Sequence, residues 1–137
     1  MAESKYVGGI LFVEKEGGGR SEPGLAITEW GIIPGKCKEG KCWFTYDGKE
    51  HSTESFDRIL GTPTEPIRLL SSKETGEPPS TAIAGTQKGQ PKPIYAAVAD
   101  TEWGLIPGKA QGNTCWFAYG GQERTSDSFF WIDRNSK

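Results

Sequence analysis

The chain has 137 residues, of which 19 are glycine and 9 are proline, and this content of turn-forming residues excludes a protein built from long helices. Its 16 basic and 18 acidic residues leave a formal net charge of -2, and no run of Lys or Arg stands out, so nucleic acid is not an expected partner. The apolar run Ile10–Val13 is too short to span a membrane, so membrane insertion is not expected.

The N-terminal residues 1–5 show no apolar leader, and the number of cysteines is odd. Both features are typical of proteins from a reducing compartment. The sequence therefore predicts a protein that is cytoplasmic, or secreted without a classical signal peptide.

The first patterned block of the chain indicates a β-hairpin. Cys42, Phe44 and Tyr46 alternate with Trp43 and Thr45, so the two sets point to opposite faces of a strand. The Asp-Gly pair that follows suits a two-residue turn with positive φ, and the next four residues form the return strand.

The chain then repeats this block. A shift of 73 positions, the distance from Trp30 to Trp103, superimposes long stretches without a gap. The aligned stretches are 28–36 with 101–109, 42–50 with 115–123, and Ser55-Phe56 with Ser128-Phe129. In both copies a Pro-Gly pair (Pro34-Gly35 and Pro107-Gly108) predicts a turn, and Gly120-Gly121 takes the place of the Asp-Gly hairpin turn.

Two copies of one unit predict the organisation of the whole chain. We expect repeat 1 over residues 1–66, with a divergent N-terminal part, and repeat 2 over residues 67–137. The expected fold is all-β, with two tandem repeats of short antiparallel strands packed with pseudo-two-fold symmetry. Any binding site on the unit should then occur twice.

The repeated blocks resemble the DM9 repeat family. The resemblance rests on Trp-Gly-(Ile/Leu)-Ile-Pro-Gly-Lys, then Cys-Trp-Phe-x-Tyr-(Asp/Gly)-Gly-x-Glu, then a later Ser-Phe, and it covers residues 24–60 and 79–132. Members of the family include a bivalve lectin that binds mannose, and others are linked to innate immunity or carry pore-forming domains. The resemblance implies a lectin that binds mannose-type or other cell-surface glycans through two equivalent shallow sites, with roles in pattern recognition or agglutination and with a homodimer as an implied assembly.

The resemblance also implies which residues bind the sugar. Lys36 and Lys109 of the Pro-Gly-Lys motif are the leading candidates because lysine donates to hydroxyls; the alternative is a solvated lysine beside a turn. In mannose-binding relatives this lysine works with the Asp of a Gly-Gly-x-Asp segment. The alignment places Lys88 at that position in repeat 2, and repeat 1 offers only Glu14 and Glu16 near its glycine run.

Carboxylates and tyrosines that recur in both copies complete the candidate set. These residues are Glu50, Glu123, Glu29, Glu102, Tyr46 and Tyr119. A carboxylate can accept two sugar hydroxyls, or it can pair with a lysine across strands. The tyrosine hydroxyls can face a ligand or close the hairpin. The repeated tryptophans are expected to pack in the small core.

The remaining polar groups do not indicate an enzyme. Cys42 and Cys115 share one repeat position and are expected to be buried small hydrophobes, whereas Cys37 has no cysteine counterpart. A zinc site would need every cysteine and His51, so no metal or other cofactor is expected. The histidine becomes Arg124 in repeat 2, and the motifs of common hydrolases and phosphate loops are missing. The alternative to a lectin is a non-enzymatic intracellular module for protein interaction or stress response.

Overall fold

The computed structural model describes residues 5–15 and 19–134, which form an almost entirely β structure. One short helix, α1 (Ser72–Thr75), lies near the start of the segment assigned to repeat 2. The strands are β1 (Lys5–Tyr6), β2 (Phe12–Val13), β3 (Arg20–Thr28), β4 (Gly31–Lys38), β5 (Lys41–Tyr46), β6 (Lys49–Thr53), β7 (Phe56–Arg58), β8 (Ile67–Ser71), β9 (Ala84–Gln87), β10 (Ile94–Thr101), β11 (Gly104–Gln111), β12 (Thr114–Tyr119), β13 (Gln122–Ser126) and β14 (Phe129–Arg134).

The two repeats carry corresponding strands in the same order, so the expected all-β fold is confirmed. Strands β2 to β7 correspond to β9 to β14, with β8, α1 and β1 outside this scheme. Strand β4 pairs antiparallel with both β3 and β5, and β11 pairs in the same way with β10 and β12. The hairpins β5–β6 and β12–β13 meet where Lys49 pairs with Gln122.

Each repeat sends an upstream segment across to the other repeat. In β9, Gln87 pairs with Gly31 of β4, and Glu14 forms the corresponding bridge to Gly104 of β11. The hydrogen bonds that follow are Lys88 N–H to the Trp30 oxygen at 2.7 Å and Lys15 N–H to the Trp103 oxygen at 2.8 Å. The two upstream segments therefore hold equivalent positions although their sequences differ, and neither repeat is complete without a segment of the other.

The hairpin turns lie where the sequence predicts them. Asp47 and Gly48 have φ values of 56° and 76°, and Gly120 and Gly121 have values of 66° and 80°. Positive φ at both central positions is the requirement of the tight turn that matches the twist of the flanking strands.

The prediction of turns at the two Pro-Gly pairs is wrong, because both pairs lie inside strands β4 and β11. Neither Gly35 nor Gly108 has a positive φ. Each glycine instead leaves room for the facing strand, since a Cβ at Gly35 would overlap the Trp43 carbonyl oxygen and one at Gly108 would overlap the Trp116 carbonyl oxygen. The prediction failed because a Pro-Gly dipeptide indicates only the local preference for a turn. It does not show that another strand approaches the glycine closely.

Each repeat buries the same small core. The core of repeat 1 contains Ala26, Ile33, Cys37, Cys42 and Phe44, and that of repeat 2 contains the matching Ala99, Ile106, Ala110, Cys115 and Phe117. The half-buried Trp30 and Trp103 pack against these cores, as expected.

The cysteines are buried as predicted, but Cys42 is not a simple hydrophobe. A disulfide joins Cys42 to Cys37 across the β4–β5 pair, at the place where repeat 2 has Cys115 facing Ala110. Cys37 thus has a structural partner that the alignment did not indicate. Cys115 is a free thiol, and its burial raises its pKa.

A buried carboxylate ties the end of repeat 2 to the first part of the same repeat. Asp133 is fully buried and accepts hydrogen bonds from Arg68 Nε at 2.7 Å and Thr81 Oγ1 at 2.5 Å. Arg68 lies on β8 and Thr81 lies just before β9, so this carboxylate joins three parts of the chain.

Replacing Asp133 with asparagine should lower the free energy of unfolding by about 2–3 kcal/mol, because two hydrogen bonds to a buried charge are weakened. Urea unfolding followed by tryptophan fluorescence measures the change. The matched control is Asp127→Asn, whose side chain is 85% exposed and 4.0 Å from Lys73, and for which we expect a change of less than about 0.5 kcal/mol. Equal effects of the two substitutions would contradict the structural role of Asp133.

Candidate functional site

The two motif lysines occupy matching positions and are both buried. Lys36 lies in β4 and Lys109 in β11, with exposed fractions of 8% and 5%. Across the strand pair, Lys36 faces Trp43 and Lys109 faces Trp116. Neither residue is the solvated surface lysine that formed the alternative interpretation.

Lys109 borders a polar cavity of about 200 Å³ between the repeats. Its Nζ donates hydrogen bonds to the backbone oxygen of Thr45 at 2.5 Å and to Gln87 Oε1 at 2.7 Å. Burial lowers the pKa of Lys109 to about 8, and the Glu123 carboxylate opposes this shift through its charge. Glu123 and Trp116 also line the cavity.

Lys36 has a different environment. Its Nζ lies 2.9 Å from Glu14 Oε2, in an ion pair whose side chains are about one-tenth exposed. The same nitrogen lies 5.8 Å from the ring centre of Tyr119, which belongs to repeat 2. Glu50 lies at the hairpin turn of repeat 2, since a Cβ on Gly121 would be 3.9 Å from Glu50 Oε1.

Both lysine sites are therefore built from two repeats. The Lys109 cavity takes Asp47 and Gly48 from the hairpin turn of repeat 1, and Lys36 contacts the end of β12 in repeat 2. The crossing segments supply the partners Glu14 and Gln87. Each of these partners lies 22 residues before its lysine.

The comparisons with known proteins assign the family. The model of the DM9 repeat matches residues 23–126, which is more than half of the chain. The chain belongs to the DM9 repeat family. The crystal structure of the nematode sperm cell motility protein MFP2B is similar in fold, with a TM-score of 0.70 and 16% sequence identity. The match covers 99% of this chain and 42% of MFP2B. No curated protein matches the sequence.

The structure shows which residue forms a hydrogen bond with each lysine of the DM9 motif, and in repeat 2 this residue differs from the one that the alignment indicated. The alignment placed Lys88 at the position of the family's Asp, but Lys88 is exposed and Gln87 contacts Lys109 instead. In repeat 1 the contact is made by Glu14, while Glu16 lies outside the described residues. The 73-residue shift maps Glu14 onto Gln87, so the signal was present in the sequence but was not applied upstream of the aligned blocks.

The surroundings of Lys36 and Lys109 differ in chemistry, so the two copies of the candidate site are not identical. The partner of Lys36 is a carboxylate, whereas the partner of Lys109 is a neutral amide. Ser21 takes the repeat position of Ile94, which lines the Lys109 cavity. Ser21 is 1% exposed, and its hydroxyl has no hydrogen-bond partner among the described residues.

The other candidate residues of the DM9 motif divide into two groups. Glu123 lines the Lys109 cavity, and Glu50 lies at the hairpin turn beside the Lys36 site. Glu29 and Glu102 are exposed in the turns before β4 and β11, and Glu102 lines a separate cavity of about 540 Å³ with Trp103.

The tyrosines are placed mainly by stacking on tryptophan. Tyr46 stacks on Trp30 at 4.7 Å between ring centres, and Tyr119 stacks on Trp103 at 4.6 Å. Of the two, Tyr119 also has its ring beside Lys36.

Two further findings concern metals and membranes. Among residues 5–15 and 19–134, no three or more His, Cys, Asp or Glu side chains are grouped closely enough to hold a metal ion. The one helix of the described chain has a single turn, and no helix there is long and apolar enough to cross a membrane.

Proposed function

We propose that this DM9 protein is a non-enzymatic lectin that binds neutral sugars, of mannose type or from other cell-surface glycans, at its two lysine sites. The observation that carries the proposal is the Lys109 cavity. It combines a fixed cationic donor, carboxylate acceptors and an indole in one polar space between the repeats. Sugars need such a combination, because they present hydroxyls on their edges and C–H groups on their faces.

The hydrogen bonds of Lys109 support one specific role. An ammonium group has three N–H donors, and two are already directed to Thr45 and Gln87. The third is available to a sugar hydroxyl. Asp47 and Glu123, on opposite repeats, line the same cavity and can accept hydroxyl protons. The cavity has the volume of about seven water molecules, which suits a single sugar ring.

Single sites of this kind bind weakly, because sugar hydroxyls exchange hydrogen bonds with water for hydrogen bonds with protein. Function would then depend on several sites acting together. Two sites on one chain, and four in a homodimer, would raise the effective affinity for a glycan-coated surface by orders of magnitude.

Agglutination of mannan-coated particles tests the proposal, with free mannose as competitor. We expect aggregation by the wild-type protein, reversal by millimolar sugar, and a rise in melting temperature when sugar is added. A blank glycan array together with an unchanged melting temperature would exclude sugar binding.

A protein-interaction module is the second candidate. It is favoured by two exposed isoleucines, Ile27 and Ile32, which pair across β3 and β4 with 43% and 42% of their surface exposed. MFP2B, which shares the fold, is named as a cell motility protein. Capture of a protein partner that sugar does not displace and that Ile32→Ser abolishes would support this candidate.

A further inference from the structure

We propose that Lys109 is a nucleophilic amine that captures small hydroxyaldehydes as an imine inside the cavity between the repeats. Imine formation goes beyond reversible sugar binding, and Lys109 could form the imine whether or not the protein binds sugars. Lys36, at the same place in the other repeat, provides an internal comparison because its hydrogen-bond partner is a carboxylate.

The two hydrogen bonds of Lys109 can be made by its neutral amine form as well as by its ammonium form. A neutral amine has two N–H donors and one lone pair, and Lys109 Nζ has two acceptors, the Thr45 oxygen and Gln87 Oε1. Both acceptors are uncharged, so the neutral form keeps both hydrogen bonds when the ammonium group loses a proton. With both N–H groups directed to protein, the lone pair is free for a carbonyl carbon in the cavity that Lys109 borders.

Lys36 lacks this arrangement. Its partner at 2.9 Å is the Glu14 carboxylate, and its Nζ also lies 5.8 Å from the ring centre of Tyr119. Two lysines related by the repeat thus have direct partners of different charge, a glutamate at one position and a glutamine at the other.

The balance of charge around Lys109 supports the same assignment. Burial lowers its pKa to about 8, and Glu123, on β13, opposes this only in part. The other ionisable residue lining the cavity is Asp47, in the hairpin turn of repeat 1. At pH 7 the neutral fraction of such an amine is about 300-fold larger than that of an ordinary lysine with a pKa near 10.5.

The reaction balances without any oxidant or reductant. The Nζ lone pair forms a bond to the aldehyde carbon, and the carbonyl oxygen takes up a proton as the nitrogen loses one, which gives a carbinolamine. Loss of water then forms the C=N bond. Glu123 lines the cavity and can carry the proton between nitrogen and oxygen.

The cavity indicates the class of aldehyde. Its volume of about 200 Å³ admits a chain of a few carbon atoms. Its carboxylates and amides, including those of Glu123 and Gln111, offer hydrogen bonds to a hydroxyl next to the aldehyde. We therefore expect short α-hydroxyaldehydes to react better than apolar aldehydes of the same length.

Reductive trapping tests the proposal on the whole protein. The protein is incubated at pH 7 with glycolaldehyde and cyanoborohydride, and the modified lysines are identified by peptide mass spectrometry. Because a less basic amine is also a weaker nucleophile, we expect Lys109 to be labelled roughly 10-fold faster than the exposed Lys88 and faster than Lys36. Labelling that follows surface exposure, with Lys88 ahead of Lys109, would overturn the proposal.

The Gln87→Glu variant provides the matched control, since it gives Lys109 the carboxylate partner that Lys36 has. We expect labelling of Lys109 to fall roughly 10-fold at pH 7, with a pH profile displaced to higher pH. Unchanged labelling in this folded variant would overturn the proposal. Propionaldehyde in place of glycolaldehyde should label Lys109 more slowly. Mannan agglutination is measured in parallel, so that a failure of imine formation is distinguished from a failure of sugar binding.

Discussion

Replacing both Lys36 and Lys109 with alanine is expected to abolish agglutination of mannan-coated particles. Each substitution removes a charged donor, whose hydrogen bond contributes about 1.5–3 kcal/mol, so each site should weaken by roughly 10- to 150-fold. Agglutination depends on simultaneous occupation of several sites, so the two losses combine into a complete loss of cross-linking. Turbidity measures this result, and circular dichroism shows whether the β structure is retained.

The matched control is Lys88→Ala, which removes an exposed lysine next to the site partner Gln87. This variant should agglutinate as the wild type does, since its side chain does not contact Lys109. If agglutination survives the double substitution, the sugar binds elsewhere on the protein. If agglutination is lost in the Lys88→Ala control, Lys88 belongs to the sugar site, as the sequence alignment indicates.

The single variants should separate the two sites by pH. With Lys36→Ala only the Lys109 site remains, and its ammonium form is needed to supply a third N–H to the sugar. Because the pKa of Lys109 is lowered to about 8, the ammonium form is complete well below pH 8 and is lost as pH rises through that value. Sugar affinity of Lys36→Ala, measured by calorimetry, should therefore fall roughly 10-fold between pH 7 and pH 9.

The complementary variant, Lys109→Ala, retains only the ion-paired Lys36 site. Its affinity is the reference for the pH dependence of Lys36→Ala, because Lys36 pairs with a carboxylate whereas Lys109 has two uncharged acceptors. Equal pH dependence in the two single variants would contradict the distinction between the sites.

The parts of this protein that local sequence patterns determine were predictable. Hairpin turns at Asp47-Gly48 and Gly120-Gly121 follow from positive φ, which is a property of the residues themselves. The repeat follows from a constant shift of 73 positions. That shift also equates Glu14 with Gln87. The sequences around these two residues differ, so the equivalence was not recognised from the sequence, although the two side chains hold equivalent positions in the fold.

Contacts between distant segments were not predictable in the same way. Thr45 contributes its backbone oxygen to the Lys109 site. Every residue has a backbone oxygen, so the residue type at position 45 does not indicate this contact. Each upstream segment crosses to the other repeat, and this crossing decides which residues come into contact. The amino-acid sequence alone does not show that the segments cross. Cys37 has alanine as its counterpart in repeat 2, so the alignment offered no reason to pair it with Cys42.

The glycine of the Pro-Gly-Lys motif has a structural role that a second prediction tests. Gly108 lies inside β11, where its missing side chain allows the Trp116 carbonyl to approach, and a Cβ there would also lie 3.0 Å from the Phe117 Cβ. Both obstacles belong to the backbone or its first carbon atom, so no rotamer change relieves them. Gly108→Ala should therefore lower the free energy of unfolding by more than about 4 kcal/mol, or prevent folding.

The matched control is Gly40→Ala, in the turn between β4 and β5. Gly40 has a φ of 80°, and a Cβ there would meet nothing within 4 Å, so only about 1 kcal/mol of backbone strain is expected. If the motif glycine served a turn, the two substitutions would have similar effects. If the two substitutions instead change the free energy of unfolding by amounts that differ by several kcal/mol, the role of Gly108 is to let β12 approach β11. This approach positions Trp116 opposite Lys109. The same residue that allows the strands to approach would then set the distance between the indole and the amine of the candidate site.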